Sequence, residues 1–94
     1  MKEALAARIP DRLEPNDRQR RILVLKANGY TCPQIGKMMD PQISAHAVHS
    51  ALFQVYRKYG ASNDVNAVAI GIALGDIGVH EIHVPFDQIR RRAA

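Results

Sequence analysis

The sequence predicts one small all-α domain of four helices, and three kinds of signal along the chain support that fold class. Residue types that cap helix starts recur at positions 16, 31, 44 and 62–63. Glycines follow at positions 29, 60 and 75, where helices commonly end. Between these limits the apolar residues recur at helical spacing. The 94 residues are enough for a single domain with a modest core.

The first two helices each begin with a capping-box pattern. Asn16 precedes Gln19 by three residues, and Thr31 precedes Gln34 by the same spacing. In such a pair each side chain accepts a hydrogen bond from the other residue's backbone N–H, which the helix leaves without a partner. Both spacings therefore predict helix starts.

These signals place the helices over residues 17–28, 32–39, 45–59 and 63–74. Gly36 lowers the helix propensity of the second helix, and we expect it to mark the close approach of another helix. The domain is predicted to span residues 16–77, between an N-terminal arm (1–15) and a C-terminal extension (78–94). Within that extension, residues 79–86 have a pattern compatible with extended chain.

The third helix has the clearest amphipathic pattern. Its apolar stripe is formed by Val48, Ala51, Leu52, Val55 and Tyr59. Its opposite face is formed by His46, His49, Ser50, Phe53, Gln54 and Arg57. This mostly polar face has no acidic side chain, which is compatible either with contact to a polyanion or with simple exposure to solvent.

The fourth helix is apolar on two sides. One stripe consists of Val65, Val68, Ala69 and Ile72, and the other of Ile70, Ala73, Leu74 and Ile77. A helix that is apolar all round is normally buried on all sides. We therefore expect one stripe to cover the core and the Val65 stripe to contact a second copy of the chain.

Composition excludes several classes of function. The net charge of +4 is compatible with binding to nucleic acid. Cys32 is the single cysteine, so no internal disulfide can form, which fits a reducing cytoplasm. There is no apolar run long enough for a membrane span and no signal-peptide pattern. We expect a cytoplasmic protein without a membrane partner.

Chemistry-bearing patterns are weak. No phosphate-binding glycine loop, nucleophile elbow or paired-carboxylate motif occurs, so we expect no catalytic residues and no cofactor. His46 and His49 are three residues apart, and His80 and His83 repeat that spacing. Because structural zinc sites usually contain closely spaced cysteine pairs, which this chain lacks, we expect no metal site.

A short helix, a turn and a long helix form the helix-turn-helix arrangement, and the residues along it resemble the LuxR/GerE-type DNA-binding domain. The run Ile22-Leu23-x-Leu25-x-Ala27-x-Gly29-x-Thr31 is similar to the family's V-L-x-L-x-A-x-G-x-S. The run Ile43-Ser44-x-x-Ala47-Val48 is similar to its I-S-x-x-T-V. The run Val55-x-x-Lys58-Tyr59-Gly60-Ala61 is similar to its I-x-x-K-L-G-V. The resemblance covers residues 15–77. It implies a stand-alone member whose third helix enters the major groove of double-stranded DNA and whose fourth mediates homodimerisation.

The sequence departs from the family pattern at several positions of the helix-turn-helix. Three residues (40–42) separate the second helix from Ile43 where the family typically has one. Ala47 replaces the usual threonine, His49 a common lysine and Ala51 a frequent histidine. The longer turn predicts a different angle between the second and third helices.

The resemblance and the polar face together give the candidate site. Residues expected to contact DNA are Thr31, Lys37, Ser44, His46, Ala47, His49, Ser50, Gln54, Arg57 and Lys58. Side chains on the third helix would read base edges, whereas Thr31 and the cations would contact phosphates. Residues expected to form the dimer are Val65, Val68, Ala69 and Ile72.

The function expected from these residues is transcription regulation by sequence-specific DNA binding, with the protein associated with the nucleoid when bound. One alternative is an interaction module that uses the same scaffold to bind RNA polymerase or another regulator, with DNA contact reduced or lost. The longer turn, Ala47 and Ala51 favour it, and the polar face disfavours it. Another alternative is architectural DNA binding with little sequence preference.

Overall fold

The computed structural model describes residues 13–85, which form four α-helices and one short 3-10 helix. The helices are α1 (Asp17–Ala27), α2 (Cys32–Met38), α3 (Ala45–Tyr59) and α4 (Asp64–Leu74), followed by the 3-10 helix Val79–Glu81. The described residues contain no β-strand. The all-α prediction is confirmed, and each helix end lies within one residue of its predicted position. Most of the predicted N-terminal arm and residues 86–94 of the extension lie outside the described residues.

Both predicted capping boxes are present. The Asn16 side chain accepts a hydrogen bond from the Gln19 N–H at 2.8 Å, and the Gln19 side chain accepts one from the Asn16 N–H at 3.0 Å. The corresponding distances between Thr31 and Gln34 are 3.4 and 2.9 Å. These bonds satisfy N–H groups that the first turns of α1 and α2 would otherwise leave free.

α3 and α4 each have a side-chain cap at the start and a glycine at the end. Ser44 accepts from the Ala47 N–H at 3.0 Å, and Asn63 caps α4. Gly60 follows α3 with a φ of 68°, in the left-handed region that glycine enters without steric cost. This residue therefore ends α3 and turns the chain towards α4.

The core lies where α1, α2 and α4 pack around α3, which contacts all three. Its fully buried side chains are Ile22, Leu23, Ile35, Val48, Leu52, Val55 and Ile77. The predicted inner stripe of α3 is confirmed, since Val48, Ala51, Leu52 and Val55 are all buried. Tyr59, at the end of the stripe, is half-buried and donates a hydrogen bond from its hydroxyl to Asp76 at 2.7 Å.

The inner face of α4 differs in part from the predicted one. The prediction is correct for Leu74 and Ile77, which are buried, and wrong for Ala73, which is exposed. The buried residues on this side of α4 are instead Ala67, Gly71 and Leu74. A side chain added at position 71 would lie 3.0 Å from the Ile77 side chain, so small residues allow α4 to pack closely here.

Gly36 marks a close approach, but the neighbour is a turn and not another helix. A methyl group at this position would overlap the carbonyl oxygen of Ile43. The Ile43 N–H donates to the Gly36 carbonyl at 3.0 Å, which fixes the contact. The turn that contains the cis Asp40–Pro41 bond thus returns to α2 before α3 begins.

Residues 78–84 fold back on α1. The Arg20 guanidinium lies 2.8 Å from both carboxylate oxygens of Glu81, and Asn28 donates to the Glu81 carbonyl at 3.0 Å. The His83 N–H donates to the side-chain oxygen of Asn28. The extended pattern expected over 79–86 is therefore wrong for Val79–Glu81, which form a 3-10 helix, whereas the next residue, Ile82, has an extended backbone.

Candidate nucleic-acid interface

The outer face of α3 is the central feature of the candidate interface. All six side chains assigned to it from the sequence are exposed, namely His46, His49, Ser50, Phe53, Gln54 and Arg57. The opposite face is buried, so the core fixes the orientation of the helix. Because α3 contains no Asp or Glu, this face offers hydrogen-bonding groups and positive charge without a carboxylate that would repel an anion.

Phe53 is the apolar member of this face, and its side chain is 55% exposed. Its ring centroid lies 6.3 Å from that of Tyr56, with a tilt of 54° between the rings. Burial raises the pKa of Tyr56, and the nearby Asp64 carboxylate acts in the same direction. Tyr56 is thus a neutral phenol that supports the exposed phenylalanine.

Gln54 and Lys58 are bonded to α1. The Gln54 side-chain oxygen accepts from the Gln19 amide at 2.8 Å. The Lys58 ammonium donates to the Gln19 side-chain oxygen at 2.6 Å and to the Glu14 carbonyl at 3.2 Å. Gln54 remains exposed, whereas Lys58 is half-buried and directed towards the start of α1 rather than along the outer face. Sequence reasoning assigned Gln19 only a capping role.

The candidate residues at the two ends of α2 and at the start of α3 differ in exposure. Thr31 and Lys37 are exposed on α2, and Lys37 makes no ion pair within residues 13–85. The Ser44 hydroxyl is exposed and holds the first turn of α3. Ala47 is half-buried, and its N–H is already bonded to Ser44. Thr31, Lys37 and Ser44 therefore remain accessible to a ligand.

Three arginines add exposed positive charge. Arg57 lies on the outer face of α3, and Arg18 and Arg21 lie on α1; none of them forms an ion pair within the described part of the chain. Arg18 and Arg21 line a cleft of about 620 Å³ next to the turn before α3, together with Asp17, Asp40, Met39, Pro41 and Ile43. Because two carboxylates share this cleft with two guanidiniums, it adds no net positive charge.

The residues predicted for dimerisation lie on the outer side of α4. Val65 is 74% exposed and Ile72 is 37% exposed, and Ala69 between them is also exposed. Val68 is half-buried against the core. The outer side of α4 is thus an exposed apolar strip beside the buried Ala67 and Gly71.

The described range lacks both a metal-binding cluster and a membrane-spanning helix. Among residues 13–85, no three His, Cys, Asp or Glu side chains lie close enough together to hold a metal ion. None of the helices in that range is long and apolar enough to cross a membrane. Comparison of the chain with family models, with curated proteins and with solved structures finds no match. A functional interpretation therefore depends on the geometry of α3 and its neighbours.

Proposed function

We propose that this protein is a sequence-specific regulator of transcription that binds double-stranded DNA with α3 in the major groove. The observation that carries the proposal is the outer face of α3, where exposed donors and acceptors project from a helix whose other side is buried. An α-helix fits the major groove, and base edges there present distinct donor and acceptor patterns. The net charge of +4 favours association with the phosphate backbone.

The proposed contacts fall into two groups. His46, His49, Ser50 and Gln54 face the base edges, because imidazole, hydroxyl and amide groups can distinguish bases by hydrogen bonding. Thr31, Lys37 and Arg57 contact phosphates, as does Ser44 at the N-terminus of α3, whereas the Ala47 N–H is already bonded to Ser44. Lys58 contributes charge but makes no direct contact while it stays bonded to Gln19.

Dimerisation through α4 completes the proposal. The exposed strip of Val65, Ala69 and Ile72, with Val68 at its border, would pair with the same strip of a second copy. A two-fold dimer places two copies of α3 on two half-sites about one helical turn of DNA apart. We accordingly expect a near-palindromic binding site and a protein that is cytoplasmic and associated with the nucleoid when bound.

The experiment that tests this function is selection of bound duplexes from a randomised DNA pool at about physiological salt. We expect enrichment of one motif with two inverted halves. A double variant with His46→Glu and His49→Glu should lose binding, because two carboxylates would face the phosphates. The matched control is His80→Glu with His83→Glu, which makes the same change at the same spacing on the C-terminal segment and should still bind.

Two results would contradict the proposal. Binding without any enriched motif would indicate architectural DNA binding. No binding even at low salt would favour an interaction module for RNA polymerase or another regulator, a second candidate that the exposure of Phe53 favours. Aromatic side chains with this exposure are common anchors in protein interfaces.

A further inference from the structure

The side chain of Gln19 links the start of α1 to the outer face of α3, and its partners fix its orientation. The side-chain oxygen lies 3.0 Å from the Asn16 N–H nitrogen and 2.6 Å from the Lys58 ammonium. A backbone N–H and an ammonium can only donate hydrogen bonds. The oxygen of Gln19 must therefore face these two groups, and its NH₂ group must face the other way.

This orientation determines that of Gln54. The Gln19 nitrogen lies 2.8 Å from the Gln54 side chain, and because an amide nitrogen only donates, Gln54 must meet it with its oxygen. The NH₂ group of Gln54 makes no hydrogen bond within residues 13–85 and belongs to an exposed side chain. The outward-facing end of Gln54 is thus a donor.

Gln19 can hold this arrangement because it is buried and hydrogen-bonded through both its backbone and its side chain. It is 5% exposed, and both its backbone and its side chain take part in the capping box with Asn16. Turning its carboxamide over would place NH₂ hydrogens against the Lys58 ammonium and the Asn16 N–H, so that donors would face donors. An unsatisfied buried polar group of this kind is costly.

We propose that Gln19 is a positioning residue that makes Gln54 a hydrogen-bond donor towards DNA, so that Gln54 selects a guanine. This inference rests on the proposed function. A guanine presents two acceptors, N7 and O6, on its major-groove edge, whereas adenine and thymine each present one and cytosine presents none. An unrestrained glutamine commonly pairs with adenine through both its oxygen and its nitrogen. Here the oxygen is turned towards Gln19, from which it accepts a hydrogen bond, and the NH₂ group faces outward.

The test turns the Gln54 carboxamide over by a substitution at position 19, and it leaves Gln54 itself unchanged. In Gln19→Glu, the carboxylate still accepts from Asn16 and from Lys58, but its second oxygen now also accepts. Gln54 must then turn over and donate to it, which leaves the Gln54 oxygen facing outward. We expect the preferred base at one motif position to change from guanine to cytosine or adenine, by about tenfold in relative affinity.

The matched control is Gln34→Glu. Gln34 occupies the same capping-box position in α2, but its side chain is exposed and its only bonded partner in the described chain is Thr31. We expect the selected motif to stay unchanged. Gln54→Ala locates the motif position, because it should remove the preference there alone. Gln54→Glu, at an exposed site that carries little folding risk, should also turn the preference towards cytosine.

Selection experiments with these variants test the inference first. The inference is overturned if Gln19→Glu selects the wild-type motif, or if the variants weaken binding equally at every motif position. Nuclear magnetic resonance of the free protein reports the orientation independently of DNA. Gln19→Glu should shift the side-chain amide signal of Gln54, and Gln34→Glu should leave it in place. Lack of wild-type binding would contradict the proposed function, and an unmoved amide signal would contradict the positioning role.

Discussion

Gly36 shows how one residue can couple a helix to the turn that follows it. The backbone of Ile43 lies where a methyl group on residue 36 would be placed. We expect Gly36→Ala to lower the free energy of unfolding by about 1–3 kcal/mol, because overpacking outweighs the better helix propensity of alanine. Urea denaturation measures this change. The control Lys37→Ala, at the exposed next position of α2, should stay within about 0.5 kcal/mol of wild type. A Gly36→Ala protein as stable as wild type would contradict the close approach.

Glu81 makes the stability of the fold depend on pH. The Gly78 N–H and the Arg20 guanidinium hold the pKa of its carboxyl below the ordinary value. A carboxyl whose pKa is lowered in the folded state stabilises the protein at neutral pH, and this contribution disappears as the pH falls through that pKa.

We therefore expect Glu81→Gln to lower the melting temperature more at about pH 7 than at an acidic pH below the ordinary carboxyl pKa. Thermal unfolding of both proteins, followed by circular dichroism at the two pH values, measures the difference. An equal difference in melting temperature at both pH values would show that the ionised carboxylate has no part in it.

At the scale of elements, the helix limits are the part that the sequence predicts well. A cap and its partner are three residues apart, so Asn16 with Gln19 and Thr31 with Gln34 show their roles in local spacing. The inner side of α4 was predicted less well, because Ala67 and Gly71 have little hydrophobic surface and give a weak periodic signal. Gly71 is covered by the Ile77 side chain and the Tyr59 hydroxyl, contacts that no local pattern shows.

Within the candidate interface, too, local patterns could be predicted from the sequence and long-range hydrogen bonds could not. The outer face of α3 could be predicted because its members recur at helical spacing. The bond from Gln19 to Gln54 joins residues 35 positions apart, and its presence depends on how α1 crosses α3. Lys58 also bonds to Gln19. The sequence predicts that Lys58 contacts a phosphate, but in the fold its side chain is directed towards α1.

The exposed strip on α4 gives a prediction about assembly. We expect the double variant Val65→Glu and Ile72→Glu to be monomeric, because burying two carboxylates between apolar surfaces is unfavourable. Light scattering measures the mass. Val79→Glu is the control, since Val79 is also 74% exposed but lies outside α4. A double variant with the same dimer mass as wild type would exclude this strip as the interface.

At the scale of the whole molecule, the distribution of positive charge predicts how binding responds to salt. Each phosphate contact releases counterions, so the logarithm of the affinity falls linearly with the logarithm of the salt concentration. We expect Arg57→Ala to reduce the magnitude of this slope by about one, which is the contribution of a single phosphate contact. Lys26→Ala is the control with the same loss of charge, because Lys26 lies 3.9 Å from Asp64 beside α4. Equal slopes for Arg57→Ala and wild type would place Arg57 away from the phosphates.

The bond between Arg20 and Glu81 has a consequence for the order in which the protein matures. It joins residues 61 positions apart, and the ribosome completes α1 through α4 before it adds Glu81. During that interval Arg20 and Asn28 lack the partners that later hold residues 78–84 on α1. A chain that stops before residue 78 therefore carries the sequence of all four helices but leaves Arg20 and Asn28 without these hydrogen bonds.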